Sequence, residues 1–140
     1  MTNEELLRTA CRVIWTEGDT DRIEEFYAED FQSHVSPVGP SWGSGLRDLK
    51  TLADQLRSAF PDYRESIEDL ICDGDRVMVR LTIKGTHNGA LGGVPATGRE
   101  IEITDMSIFR IANGRIAEQW ALSDYMSLYL QLGLIELPVA

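Results

Sequence analysis

Cysteine and histidine are scarce in this chain: two of each, Cys11 and Cys72, His34 and His87, among 140 residues. The cysteines stand far apart and show no paired spacing, which excludes a disulfide framework and a cysteine-based zinc site. Each falls within an apolar pattern, so both are expected to be buried thiols in a reducing compartment. Two histidines without matching acidic spacing give no metal-ligand pattern. Basic residues are also few, 13 Lys and Arg against 23 Asp and Glu, for a net charge of −10. A surface that acidic, with no long basic run, argues against nucleic acid and anionic membrane as partners. No apolar run approaches membrane-spanning length, and the start Met1-Thr2-Asn3-Glu4-Glu5 lacks a basic-then-apolar leader. The expectation is a soluble, cytoplasmic protein. Repeats, linkers and low-complexity stretches are missing as well, so residues 1–140 are expected to form one domain.

What is present is patterned. Hydrophobic residues make up 43% of the chain, enough to bury a core without staples. Leu7, Cys11 and Ile14, widened by Leu6, Ala10 and Val13, predict a helix from Asn3 to Glu17, with Thr2 and Glu5 as a capping box and Gly18 as the stop. Asp19 is placed to cap a short second helix that turns Ile23, Phe26 and Tyr27 inward. A short strand is expected near Phe31–Val35, then a loop containing Pro37, Gly39 and Pro40. Leu46, Leu49, Ala53, Leu56 and Phe60 mark a third helix from Gly45 to Ala59, which Pro61 ends.

Beyond Pro61 the period changes from helical to alternating. Strands are expected at Tyr63–Cys72 and Arg76–Lys84, joined by Asp73-Gly74-Asp75, and at Arg99–Ile111 and Arg115–Leu122, joined by Asn113-Gly114. Between the pairs lies a loop with Gly85, Gly89, Gly92, Gly93 and Gly98 around Pro95. A last helix runs from Asp124 to Leu132 and ends at Gly133. Helices first and strands later predict an α+β fold, with the helices on one face of a curved, mostly antiparallel sheet.

Three motifs in this order resemble those of the SnoaL-like polyketide cyclase family, within the nuclear transport factor 2-like superfamily. They are Ala59-Phe60-Pro61-Asp62; Gly85-Thr86-His87-Asn88-Gly89 continuing to Gly93-Val94-Pro95-Ala96-Thr97-Gly98-Arg99; and Phe109-Arg110 followed by Asn113-Gly114-Arg115-Ile116, Glu118, Trp120 and Asp124. The resemblance implies a cone-shaped α+β barrel, a pocket at its wide end, and neither metal nor organic cofactor. It also matches Asp124 to the acid/base aspartate of such cyclases.

Parity narrows the other candidates. Uninterrupted pairing across Asn113-Gly114 puts Ser107 beside Trp120, Asp105 beside Leu122 and Ile103 beside Asp124, all on one face. Carboxylates among such residues suit a lined pocket. Asp124 in an apolar wall would have a raised pKa and could shuttle protons, or it could simply cap the last helix. His34 and His87 are the candidates to polarise a carbonyl beside it, against the alternatives of a packed histidine and a turn-fixing one. Arg80 either pairs with Asp69 or offers its guanidinium to the pocket. Trp42 and Trp120 are expected to shape the ligand site. The cysteines have no base at motif spacing, so thiol catalysis is not expected.

With these residues, the resemblance implies an enzyme that closes a polyketide ring by intramolecular aldol chemistry, with Asp124 as the acid/base group. The alternatives are isomerisation or dehydration of a steroid-like ligand, and a non-catalytic module binding a hydrophobic small molecule. Epoxide hydrolysis is disfavoured: relatives with that activity carry Arg and Asp two apart on one strand, and Thr82 follows Arg80. Because two faces of the Arg76–Lys84 strand cannot share one pocket, a homodimer or homotetramer is expected.

Overall fold

The structure, a computed structural model, describes residues 1–35 and 44–139. Helix α1 (Asn3–Ala10) opens on the expected capping box, with Glu5 N donating to Thr2 Oγ1 and Thr2 N to Glu5 Oε2. The helix does not run unchanged to Glu17. At Cys11 it widens into a π turn, Cys11–Thr16, closed by Glu17 N donating to the Arg12 carbonyl at 2.8 Å. Carbonyls at a helix end lack intrahelical partners. Here Arg57 supplies them, donating to the Trp15 and Thr16 carbonyls at 2.7 and 2.5 Å.

The second helical segment is a 3-10 turn, Thr20–Glu25, and Asp19 makes no side-chain capping bond to it. Strand β1 (Tyr27–Val35) starts earlier than expected. Helix α2 (Leu46–Ala59) follows, then β2 (Arg64–Asp73), β3 (Arg76–Thr86), β4 (Glu100–Ala112), β5 (Arg115–Ser123) and α3 (Tyr125–Gln131). The five strands form one mixed sheet in the order β1-β5-β4-β3-β2, parallel only between β1 and β5. The helices pack against it in an α+β cone.

Alternation decides what the sheet buries. Val77, Val79, Leu81 and Ile83 of β3 point inward, as do Ile101, Ile103, Phe109 and Ile111 of β4. Two irregularities interrupt the alternation in the antiparallel part of the sheet. One lies between Ile67 and Asp69 on β2, so that Leu70 continues the inner face that Ile67 began. Cys72, beyond it near the end of this edge strand, is exposed rather than buried, whereas Cys11 is buried as expected. The other lies on β5, where Ile111 pairs with Ile116 but Arg110 pairs with Glu118, leaving Ala117 as the extra residue. One extra residue moves every later side chain to the opposite face.

The glycine-rich loop is fastened to the end of α2. Gly89 N donates to the Ala59 carbonyl at 3.0 Å, and a Cβ on Gly89 would lie 2.1 Å from the Ser58 carbonyl oxygen, so only glycine fits. Asp62 accepts from the Thr86 backbone N–H at 2.6 Å and from its hydroxyl at 2.8 Å. Among the described residues no helix is long and apolar enough to cross a membrane.

Candidate active site

Beneath the helices, the inner sheet face encloses a cavity of about 110 Å³. Its wall is mostly apolar, with Leu49, Leu56 and Phe60 from the α2 side and Leu81, Ile83, Ile101 and Ile103 from the sheet. Leu52, Leu56, Tyr125 and Leu128 also line a neighbouring cavity of about 320 Å³, on the side of the glycine-rich loop residues Leu91, Gly92 and Val94. The two cavities share Leu52, Leu56, Tyr125 and Leu128 as a common wall.

Two carboxyl groups line the inner cavity, Asp105 and Glu65. Asp105 is 6% exposed. The β5 bulge pairs it with Ser123, whose hydroxyl donates to Oδ2, while the Ser107 hydroxyl donates to Oδ1 at 2.7 Å. Gln119 Nε2 donates in turn to Ser107 Oγ at 3.3 Å, extending the chain of polar groups along the inner face. Burial pushes the Asp105 pKa above the usual carboxylate range, and the two serine hydroxyls partly offset the rise.

Glu65 stands on β2, with Oε1 accepting from the Tyr63 hydroxyl at 2.8 Å. The Cys11 thiol, presented by the π turn, lies beside it. Its pKa is pushed up to about 8, chiefly by burial and further by the charge of Asp105, against the lowering effect of Tyr63 and Cys11. Burial likewise raises the Cys11 thiol, which keeps it protonated and unreactive. No Lys, Arg or His is among the described residues lining the cavity.

The structure gathers three of the sequence candidates, His34, Arg80 and Trp120, along one groove on the outer sheet face, and leaves Asp105, His87 and Asp124 apart from them. Asp124 is exposed at the N-cap of α3, where Oδ1 accepts from Ser127 N at 3.0 Å, and it does not line the cavity. His34 is on the outer sheet face, stacked on Trp120 at 5.2 Å with Nε2 2.6 Å from Glu118 Oε2. Trp120 reaches that face because the Ala117 bulge pairs it with Ile108 instead of Ser107. The same shift puts Asp105 beside Ser123 and Ser107 beside Ala121, so the expected shared face of Asp105, Trp120 and Asp124 does not exist. Arg80 also points outward and pairs with Asp69, its Nε donating to Oδ2 at 2.8 Å and its Nη2 2.7 Å from the same oxygen.

His87 is fully buried but away from the cavity. Its Nδ1 accepts from Thr97 N at 3.2 Å, its ring packs on Phe60 at 5.3 Å, and burial lowers its pKa. It fastens the glycine-rich loop. Trp42 lies outside the described residues. Of the six candidates among the described residues, only Asp105 lines the cavity.

Sequence reasoning placed Ser107 on the face of a lined pocket but missed Glu65, Tyr63, Gln119 and Ser123. A signal for Tyr63, Glu65 and Ser107 was present. Tyr63, Glu65 and Ile67 alternate with Arg64, Ser66 and Glu68, so Glu65 sits on the apolar parity of its strand. Asp105 and Ser107 likewise interrupt the inward series Ile101, Ile103, Phe109 and Ile111. A polar residue at an apolar position marks a lined cavity. Gln119 and Ser123 gave no such signal, because the bulge reverses the parity of their strand.

Comparison with known proteins agrees with this architecture. The chain is 38% identical to the aklanonic acid methyl ester cyclase DnrD of Streptomyces peucetius, over 83% of this chain and 81% of the relative. It is 30% identical to the aklanonic acid methyl ester cyclase DauD of a Streptomyces strain, over 83% and 73% of the two chains. The fold superposes on TsrD from Streptomyces laurentii with a TM-score of 0.82, at 24% identity and covering 94% of this chain and 95% of that one. The profile of the SnoaL-like polyketide cyclases matches residues 5–132, nearly the whole chain. The chain belongs to the SnoaL-like polyketide cyclase family.

Proposed function

We propose that this protein closes a ring in a polyketide ester by intramolecular aldol-type chemistry, with Asp105 as the proton acceptor. The observation that carries the reading is a buried carboxyl with an elevated pKa, facing an apolar cavity and held by two hydroxyls. A base poised nearer neutrality than a free aspartate is matched to a carbon acid flanked by two carbonyls. Asp105 removes that proton, and the substrate's own carbonyls hold the resulting charge as an enolate. The enolate carbon attacks a second carbonyl of the same folded molecule, forming the ring bond and an alkoxide that is then protonated. Enclosure in the apolar cavity supplies proximity, worth roughly 7–11 kcal/mol in ideal cases.

The relatives' names make aklanonic acid methyl ester the first substrate to test. Ring closure followed by chromatography should fall roughly 10²- to 10⁴-fold in Asp105→Asn, the contribution of a positioned proton-transfer group. Asp124→Ala should keep the wild-type rate and lose about 1 kcal/mol of stability, the worth of an N-cap. An Asp105→Asn protein closing the ring at the wild-type rate would overturn the assignment. Isomerisation would use the same aspartate, and product structure separates it from closure. The binding-module reading draws support from Asp124, whose Oδ1 is spent on a backbone N–H. It predicts ester binding without turnover in the wild type.

Assembly into a homodimer belongs to the same proposal. The outer sheet face leaves Ile71, Met78, Met106 and Leu122 exposed by 60, 46, 55 and 64%. So much apolar surface on one sheet favours a covering partner.

A further inference from the structure

We propose that Glu65 is a second catalytic group of this site, a carboxylic acid that donates its proton to the carbonyl oxygen attacked during ring closure. The inference rests on the cyclase reading, but a different observation carries it. The cavity holds two carboxyl groups from two strands, Asp105 on β4 and Glu65 on β2, with β3 between them. Only the first is needed as a base. The partners of the two differ in kind. Asp105 receives a hydroxyl on each oxygen, as suits a group that works as an anion. Glu65 has the Tyr63 hydroxyl on Oε1 and the Cys11 thiol as a neighbour, with no cation among the described residues of the cavity wall.

An unpaired carboxylate in such a wall is costly, so the neutral acid is the form the cavity favours. The titratable groups facing it are Tyr63 on its own strand, Cys11 on the π turn, Tyr27 on β1 and Asp105 on β4. Burial raises the pKa of each of them, which keeps Tyr63, Cys11 and Tyr27 as neutral donors. A neutral Glu65 that accepts from Tyr63 through Oε1 still has an O–H to give. A thiol is a weak partner for it, and a substrate carbonyl is a better one.

The proton inventory then closes. Asp105 takes the proton from the carbon between two carbonyls. That carbon's electron pair forms the new C–C bond, and the π pair of the attacked carbonyl moves to its oxygen. Glu65 gives that oxygen its proton, so the product is an isomer of the substrate with a new hydroxyl. The enzyme is left with neutral Asp105 and ionised Glu65. One proton passing between them through solvent, once product has left, restores the starting state. Donation as charge develops on the oxygen is the kind of interaction that strengthens in the transition state.

The test separates the two half-steps in Glu65→Gln, using aklanonic acid methyl ester in deuterated buffer. Deuterium entry at the acidic carbon reports Asp105, and ring closure reports Glu65. The expected result is exchange at near the wild-type rate with closure reduced roughly 10- to 10³-fold. The alkaline limb that ionisation of Glu65 places on the wild-type closure profile should vanish in the variant. Carbon-13 NMR of glutamate carboxyls gives a readout independent of turnover: one resonance, absent in Glu65→Gln, should titrate near pH 8. Closure at the wild-type rate in the variant, or a Glu65 resonance already ionised at pH 6, would overturn the proposal and leave the cyclase reading intact. A wild-type protein that neither exchanges nor closes the ester would overturn both.

Discussion

At the scale of single residues, the cavity holds a carboxyl inside a mostly apolar wall. Asp105 has two opposing influences on its pKa, with burial raising it and the hydroxyls of Ser123 and Ser107 lowering it. Ser123→Ala removes one of the lowering influences. The acid limb of the closure rate should therefore move to higher pH, measured as kcat/KM from pH 4 to 8, with the alkaline side little changed. The same burial costs stability once a carboxyl ionises. For Asp105 and Glu65 alike the folded-state pKa lies above the unfolded one, so the unfolded chain loses its proton first. The stabilisation of the neutral forms is complete below the unfolded pKa values and is lost as pH rises through the folded ones. For Glu65 that window reaches from its ordinary value of 4.5 to about 8. Thermal melting should show a wild-type Tm that falls between pH 5 and 9, and a Glu65→Gln Tm that falls less. A variant with the same slope as the wild type would mean that Glu65 ionises normally.

At the scale of elements, backbone irregularities aim the site. The π turn carries both Cys11 and Trp15 to the cavity wall, and its last carbonyls depend on Arg57 from α2. Arg57→Met keeps most of the stem but removes these donors. Hydrogen bonds from a charged group are worth about 1.5–3 kcal/mol, and a loss of that order should appear in urea denaturation, together with weaker substrate binding. The Ala117 bulge has a comparable role, since it points Ser123 at Asp105 and sends Trp120 outward. The glycine-rich loop is held by Gly89, His87 and Asp62 together. At Gly89 an added methyl would meet the backbone carbonyl of Ser58. Gly89→Ala should accordingly lower the Tm and impair the adjoining cavity while leaving the acid limb of the rate profile in place.

For the whole molecule, one sheet has two faces with different tasks. The inner face packs on the helices and lines the cavity, and the outer face keeps four large apolar side chains in water. On that outer face Trp120 is sandwiched, with His34 stacked at 5.2 Å and the Arg76 guanidinium 4.8 Å from its ring centre. If this face joins two copies, sedimentation at micromolar concentration should give a dimer or a tetramer for the wild type. Leu122→Asp should shift it to the monomer without loss of the helical signal. A wild-type monomer would remove the assembly proposal and leave the site untouched.

The α+β order of elements, the capping box at Thr2, α2 and its exit at Pro61, and both hairpin turns followed from local pattern. Each depends on contacts a few residues apart, which the chain writes directly. The family was legible for a related reason. Its motifs Phe60-Pro61-Asp62 and Thr86-His87-Asn88-Gly89 fasten a loop to a helix, a task that demands particular residues in one order. The candidates read from the sequence lie elsewhere: His87 fastens the glycine-rich loop, Asp124 caps α3 and His34 faces outward. Which carboxyl enters the cavity was decided by tertiary structure. Asp105 meets Ser123 only through a one-residue bulge at Ala117, and Glu65 meets Cys11 only where a π turn crosses the sheet. Alternation in a strand has a period of two, so one extra residue reverses the side on which everything beyond it lies. Nothing in the residues around Ala117 announces that reversal, because Ile116 and Ala117 are both apolar and the strand accepts either register until the helices and the opposite strand select one.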